Sequence, residues 1–334
     1  MMLYGGSNAL IVVFGGGGYI GAHLVRQLLE AGYRVRVFDS FIFGSDGIRN
    51  LDSSNLQVVI GDICDTRTVS KAVMGADAVI LLSALVGHRS RESKETTLRE
   101  VNFLASSVVL DAAIEHGVYR FIFASSDSVY GVQKGVLYET SHPEPVSFYS
   151  RLKLRMEERV LNSRRSYFIP TVLRICNCHG YSPRMRFDLV ANTLVRDAIV
   201  QKQLVLTGPD EERAFISVKD AARSFISCLE AHERLVSGEI FNVANSEQQL
   251  SVRKISGLLQ QIKPDLNVQF RRSAAVLDDY SVSSSKLEKS LNFKCEISFL
   301  DSLKELWQVM EEGVFADAYN PCYYNTSGSS NTKE

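Results

Sequence analysis

From residue 9 to about 175 the chain alternates short, unbroken apolar runs with longer stretches in which apolar residues return at helical spacing. The apolar runs Ala9–Phe14, Arg34–Phe38, Gln57–Ile60, Ala78–Leu82, Arg120–Ala124 and Tyr167–Leu173 predict strands. Continuous rather than alternating apolarity is the mark of strands buried on both faces, as in a parallel sheet covered by helices. Between them, Tyr19–Ala31, Arg67–Met74, Lys94–His116 and Tyr149–Asn162 predict helices, each with turn residues at its ends. Strand and helix in turn predict an α/β fold with a doubly wound parallel sheet. Beyond residue 180 the alternation loosens, with helices expected at Phe187–Gln201, Val218–His232, Val252–Ile262 and Phe299–Glu312 and strands near Leu204–Leu206 and Ile240–Val243. That pattern predicts a large first domain at 1–179 and a smaller C-terminal α/β domain at 180–320, with parts near 215–245 packing back on the first. A polar, Ser- and Asn-rich stretch at 321–334 is expected to be a flexible tail.

Composition narrows the function classes. With 37 basic and 38 acidic residues the net charge is −1, so no global field exists to hold nucleic acid or an anionic membrane surface. No apolar run approaches the ~20 residues needed to span a bilayer, and the first residues lack the basic flank of a signal peptide. A cytoplasmic protein is expected. The six cysteines are scattered, which reads as reduced thiols rather than a disulfide framework. Cys176 and Cys178, with only His179 nearby in sequence, make a poor zinc site, so no metal is expected.

Immediately after the first strand, Gly15, Gly18 and Gly21 stand three apart within Phe14-Gly15-Gly16-Gly17-Gly18-Tyr19-Ile20-Gly21. Such spacing permits a tight turn at Gly15, backbone approach to a pyrophosphate at Gly18, and close helix packing at Gly21. The helix that follows offers free N–H groups and a partial positive charge to phosphates. Asp39 closes the second strand 18 residues after Gly21, where a carboxylate accepts hydrogen bonds from adenosine ribose hydroxyls and repels a 2′-phosphate. A Rossmann-type domain that takes NAD in preference to NADP is expected.

Tyr149 and Lys153 are four residues apart, and on a helix the two side chains share a face. An ammonium beside a phenol is expected to lower the tyrosine pKa toward neutrality and make it a general base. Ser126 lies just past an apolar strand, at the carboxyl edge where open α/β sheets gather ligands. The segment Ser182-Pro183-Arg184-Met185-Arg186-Phe187-Asp188 reads either as a substrate loop or as surface charges entering a helix. Arg271 and Arg272 read either as phosphate contacts or as a solvated strand end.

The order of these motifs resembles the extended short-chain dehydrogenase/reductase family, in particular its NAD-dependent epimerase/dehydratase group acting on nucleotide sugars. The resemblance runs over about residues 9 to 315 and includes Gly61-Asp62-Ile63, Leu82-Ser83-Ala84, Asn102, Ser125-Ser126-Asp127-Ser128-Val129-Tyr130-Gly131 and Leu173-Arg174-Ile175-Cys176-Asn177. It implies that Gly15, Gly18, Tyr19, Ile20, Gly21, Asp39, Asp62, Ile63, Leu82, Ser83, Ala84, Asn102, Tyr149 and Lys153 bind the dinucleotide. It implies catalytic roles for Ser126, which hydrogen-bonds the reacting oxygen, Tyr149, which moves its proton, and Lys153, which holds the nicotinamide ribose. Hydride would pass at a sugar carbinol carbon, usually C4. Ser126, Asp127, Asn177, Arg184, Arg186 and Arg213 would line the nucleotide-sugar end, with Arg213 as a diphosphate clamp. A homodimer is implied by the same likeness.

The chain departs from the family pattern at Phe14, where relatives carry a small hydroxyl residue, at Ser83 in place of an alanine, and in a shortened Gly208–Glu212 approach to Arg213. Relatives that act as 4,6-dehydratases carry an acid and a glutamate after the catalytic hydroxyl residue. Here those positions hold Asp127 and Ser128, which speaks against dehydration. A dinucleotide sensor without catalysis is the alternative from another class, and the Tyr149/Lys153 pair argues against it.

Overall fold

The computed structural model describes residues 8–86, 92–207, 210–271 and 280–325. In chain order the first half runs β1 (Leu10–Phe14), α1 (Tyr19–Glu30), β2 (Arg34–Asp39), β3 (Leu56–Ile60), α2 (Thr66–Val73), β4 (Ala78–Leu81), α3 (Glu92–Arg99), α4 (Ser106–Glu115), β5 (Arg120–Ser126), α5 (Phe148–Asn162) and β6 (Ile169–Ile175). A last strand, β7 (Glu239–Val243), joins from much later in the chain. Together they form a seven-stranded sheet in the order β7-β6-β5-β4-β1-β2-β3, every pair parallel.

Strand sequence explains the layering. Successive side chains of a strand point to opposite faces, so Ile11 and Val13 join one apolar cluster while Val12 and Phe14 join another. β5 divides in the same way, with Ile122 and Ala124 in the first cluster and Phe121 and Phe123 in the second. Both faces are therefore dry, which is why these runs lack polar alternation. The second cluster is closed by α2 and α4 through Val69, Val73, Val109 and Leu110. The first continues without a break into the C-terminal half, through Phe187, Leu194, Phe215, Phe299, Leu303 and Trp307. The two halves thus share one core.

In the C-terminal half the helices Val190–Val200, Val252–Ile262 and Phe299–Glu311 accompany small sheets. One contains Gln249–Ser251, Glu212–Ser217 and Asn177–His179, another pairs Asn267–Arg271 with Gln203–Thr207, and a third pairs Tyr280–Val282 with Gly135–Leu137. Gln203–Thr207 contains the strand expected near Leu204–Leu206, whereas the others were not foreseen from the pattern, the three-residue ones being too short for a visible period. Two expectations are corrected. The single helix expected at Lys94–His116 is interrupted by a π-helical stretch, Glu100–Ala105, between α3 and α4. Residues 321–325, expected to begin a flexible tail, are docked: the Phe187 N–H donates to the Tyr323 carbonyl at 2.9 Å, and the Tyr323 ring meets Phe187 and Phe315 edge to face. The polar composition of this stretch hid two tyrosines placed to bury their rings.

Candidate active site

The carboxyl ends of β1, β2, β4, β5 and β6 open onto a crevice of ≈ 740 Å³, the place where open α/β sheets bind ligands. Its floor at one end is the turn between β1 and α1. Gly15 has φ +82°, and a Cβ there would stand 2.8 Å from the Ser83 nitrogen of the neighbouring strand end. At Gly21 a Cβ would meet the Gly15 carbonyl at 2.2 Å, so this glycine lets the helix pack on the turn itself rather than on the strand. Helix α1 begins with Gly18 as N-cap, without a side-chain cap and without a carboxylate in its first turn. Asp39 braces the turn: one carboxylate oxygen accepts from Gly17 N–H at 2.9 Å and the other from Phe41 N–H at 2.8 Å. Burial raises the Asp39 pKa, and those N–H donors and Arg184 hold it down. Tyr19, Ile20, Asp62, Ile63, Leu82, Ser83 and Ala84 line the same end.

Asn102 is a correction. It does not line the crevice and is buried, with its side-chain carbonyl accepting from Leu85 N–H and its amide donating to Leu85 carbonyl, both at 2.8 Å. Both bonds go to the backbone of the loop after β4, so Asn102 braces that wall. The π-helical stretch turns it to face this loop, and such stretches recur at functional sites.

At the other end α5 presents the phenol and the ammonium. A capping box starts this helix: Ser147 Oγ accepts from Ser150 N–H at 3.0 Å while Ser150 Oγ accepts from Ser147 N–H at 3.1 Å. That start puts Tyr149, Lys153 and Glu157 on one face. Lys153 is buried, donates to the Ala124 carbonyl at 2.7 Å, and lies 4.7 Å from the Phe123 ring centroid and 5.7 Å from that of Tyr149. Burial lowers its pKa to about 8, with the Glu157 charge pulling it up. The depression expected for Tyr149 is not what the protein alone shows. Its surroundings deep in the crevice raise the phenol to about 12, with Arg186 lowering it and Asp127 raising it. The Lys153 ammonium is aimed at a backbone carbonyl and at ring faces, and burial of the phenol outweighs the pull of Arg186.

Ser126 ends β5 and caps the following turn. Its Oγ accepts from Ser128 N–H at 3.2 Å and from Ser128 Oγ at 2.9 Å. Behind these residues stands a network that sequence reading missed. Buried Glu157 takes a two-pronged bond from Arg174 and a further one from Ser125; the Arg174 guanidinium lies 4.8 Å from the Tyr130 ring centroid. The clue was Glu157 four residues beyond Lys153, an acid at a position that α5 turns inward.

Asn177, Arg184, Arg186 and Arg213 all reach the crevice wall, as do Asp127 and Cys178. Asn177 donates to the Ala214 carbonyl at 3.1 Å. Arg186 pairs with Asp188 and is near enough to Tyr149 to hold its pKa down. Arg184 stands elsewhere, over the Phe43 ring and beside the Asp39 end. Arg271 lies exposed at a strand end away from the crevice, and Arg272 falls outside the described residues. His179 spends both ring nitrogens on Ser302 and Gln248.

A sequence model described as the NAD dependent epimerase/dehydratase family matches residues 11–244. The chain belongs to that family. A similar member is an uncharacterized UDP-glucose epimerase of Bacillus subtilis, 29% identical over 75% of this chain and 81% of its own length. A UDP-N-acetyl-alpha-D-glucosaminuronate decarboxylase of Bacillus cytotoxicus is 26% identical over 90% of this chain and 97% of its own. Among solved structures, UDP-glucuronic acid 4-epimerase from Bacillus cereus, in complex with UDP-glucuronic acid and NAD, superposes with a TM-score of 0.82 at 26% identity, covering 91% of this chain and 99% of that one.

The crevice fits the dinucleotide for which the epimerase/dehydratase family is named. Gly18 faces it so openly that an added Cβ would meet only the Gly15 carbonyl, at 3.2 Å, and the uncapped first turn of α1 is free to accept an anion. Among the described residues no helix is long and apolar enough to cross a membrane.

Proposed function

We propose that this chain is an NAD-dependent nucleotide-sugar oxidoreductase or epimerase that transfers a hydride at a carbinol carbon of the sugar, C4 by the family likeness. The observation that carries this reading is the convergence of Ser126, Tyr149 and Lys153 on one wall of a crevice whose far end is the Gly15–Gly21 turn. The UDP-sugars named for the two epimerases above support the substrate class. A bound nicotinamide would supply the hydride acceptor and donor for the sugar carbon. The chain's own residues handle the proton and the alignment. Ser126 Oγ accepts twice from Ser128 and donates to Asp127 Oδ1 in a long bond of 3.3 Å, which its hydroxyl exchanges for one to the reacting oxygen when the sugar binds. Tyr149 takes up the sugar hydroxyl proton on oxidation in its ionised form and gives it back from the phenol on reduction. Lys153 commits one N–H to Ala124 and keeps two more donors, together with a charge beside the phenol. Arg186 and Arg213 hold the nucleotide-sugar phosphates or an anionic sugar substituent.

Elimination of water is disfavoured at the same place. Its base would stand where Ser128 is, and that hydroxyl is engaged with Ser126. The test is a panel of nucleotide hexoses and uronates in deuterated water, with products resolved by chromatography and mass. Epimerised, oxidised or reduced sugar supports the proposal; a 4-keto-6-deoxy product labelled at C5 makes the chain a dehydratase, and no turnover with any sugar makes it a sensor. The same reading has the chain working as a cytoplasmic homodimer, to be checked by sedimentation.

A further inference from the structure

Two arginines one residue apart, Arg184 and Arg186, were read from sequence as a single substrate-binding pair, and the structure separates them. Arg186 serves the reacting end, near Tyr149 and bound to Asp188. Arg184 is 3% exposed, and its guanidinium lies 4.6 Å from the Phe43 ring centroid. Its backbone neighbourhood is the glycine turn: a Cβ on Gly47 would meet the Gly17 carbonyl at 2.3 Å and the Arg184 Cβ at 3.3 Å. Three nitrogens of this guanidinium could donate, and only Nη2 has a protein acceptor, the side-chain carbonyl of Asn325. Nε and Nη1 are buried without a partner among the described residues. Leaving charged donors unpaired inside a protein is costly, so a group on this wall of the crevice is missing from the count. Nε and Nη1 point to opposite sides of the guanidinium, so they offer two separate donors rather than the side-by-side Nε/Nη2 grip that Arg186 makes on Asp188, which suits a ligand whose oxygens are spread over two phosphates.

We propose that Arg184 is a clamp for the diphosphate of the bound dinucleotide, and that the docked C-terminal residues 321–325 hold it in place through Asn325. A diphosphate could equally come from the nucleotide sugar. The position of Arg184 beside Gly17, Asp39 and Phe43, which together line the glycine-turn end of the crevice, assigns it to the dinucleotide. The holding segment is anchored independently of any ligand. The Phe187 N–H bonds to Tyr323 carbonyl, and Arg196 donates to the Tyr324 hydroxyl, which in turn donates to Ala318 carbonyl at 3.0 Å. Arg184 is thus tied to the turn by Gly47 on one side and to the end of the described chain on the other. Burial, and the like charge of Arg186, lower its pKa to about 10, which is the direction relieved by an arriving anion.

This inference rests on the proposal that the chain binds NAD, and the experiment separates the two. ADP-ribose, which carries the diphosphate but no nicotinamide, and UDP are titrated calorimetrically into full-length wild type, Arg184→Met, Asn325→Ala and the double variant, each first checked for an unchanged circular dichroism spectrum. For wild type, ADP-ribose binds. Arg184→Met weakens ADP-ribose roughly ten- to hundredfold, as expected for losing a charge-assisted pair of bonds, and leaves UDP unchanged. Asn325→Ala weakens ADP-ribose by a smaller factor and adds nothing in the Arg184→Met background, because it acts through the guanidinium. Unchanged ADP-ribose affinity in Arg184→Met overturns the clamp while NAD binding stands, and loss of UDP affinity instead moves Arg184 to the sugar end. Additive losses in the double variant overturn the role of Asn325. Failure of wild type to bind ADP-ribose removes the dinucleotide reading along with the clamp.

Discussion

The two ends of the crevice are built on different plans. The glycine-turn end, which we propose takes the dinucleotide, is made by the tips of neighbouring strands, residues 15–21, 39–44, 61–63 and 82–86, each a short excursion from its own strand. Apart from the side chain of Arg184, its polar work is done by backbone: Gly17 and Phe41 N–H groups fix Asp39, and the start of α1 has no side-chain cap. The other end, which we propose takes the sugar, is lined by side chains brought from far apart, Ser126, Tyr149, Lys153, Asn177, Arg186 and Arg213. Backbone donors at strand tips tolerate changes in sequence so long as glycine is kept where a Cβ would collide, and they serve any substrate. A side-chain end can be re-specified residue by residue, which suits a family whose similar members are named for different sugars.

That division predicts that the two ends can be damaged independently. The largest effect is expected for Tyr149→Phe, which lowers turnover by ~10² or more while leaving calorimetric dinucleotide affinity unchanged. Equal losses in both would mean that the ends are not separable. Next comes Arg213→Ala, expected to raise KM for a nucleotide sugar by roughly tenfold or more with little change in NAD affinity, since a lost guanidinium–phosphate pair is worth about 1.5–3 kcal/mol. An unaltered KM would leave Arg213 as a wall residue of its strand. Asp39→Ala breaks the opposite end: NAD weakens, NADP does not, and the preference between them narrows by about tenfold. If NADP already binds wild type more tightly, the carboxylate is only a brace for the glycine turn.

The smallest effect is on stability. Burial lowers Lys153 to about 8, below the ~10.4 of a free lysine. Between these values the unfolded chain holds a proton that the folded chain has released, so this residue's contribution to stability rises as pH increases through that window. In buffers at pH ~7.5 and ~10, chemical unfolding of wild type and Lys153→Met is expected to show the wild type gaining about 2–3 kcal/mol relative to the variant. A constant difference would place the lysine's charge in a better solvated setting than its burial indicates. Saturation with the dinucleotide, which brings anionic groups near, should shrink the effect.

Much of the fold was legible because it depends on patterns local to each element. β1 reads as a strand buried on both faces from five consecutive apolar residues, and Tyr149 and Lys153 share a face by helical periodicity alone. The capping box at Ser147 and Ser150 is likewise written in adjacent residues. What failed did so for a physical reason in each case. Strands of three residues such as Asn177–His179 have no period of their own and exist only because Glu212–Ser217 lies alongside. Asn102 was implied as a dinucleotide contact by the family likeness, but its partner, Leu85, is 17 positions away and only the folded loop shows that its amide braces the backbone there.

The sequence by itself determined the doubly wound sheet, the glycine turn with its Asp39, and the helix that carries phenol and ammonium, since each follows from spacing within a few turns of chain. Tertiary structure alone decided how those groups are charged and partnered. Burial in the crevice outweighed Arg186 at Tyr149 and raised the phenol instead of lowering it. The two arginines of one short segment were divided between the two ends, and residues 321–325, polar in composition, came to rest against Phe187 and Arg184. Solvation and pairing depend on which distant segments exclude water and supply partners, and no local pattern carries that information.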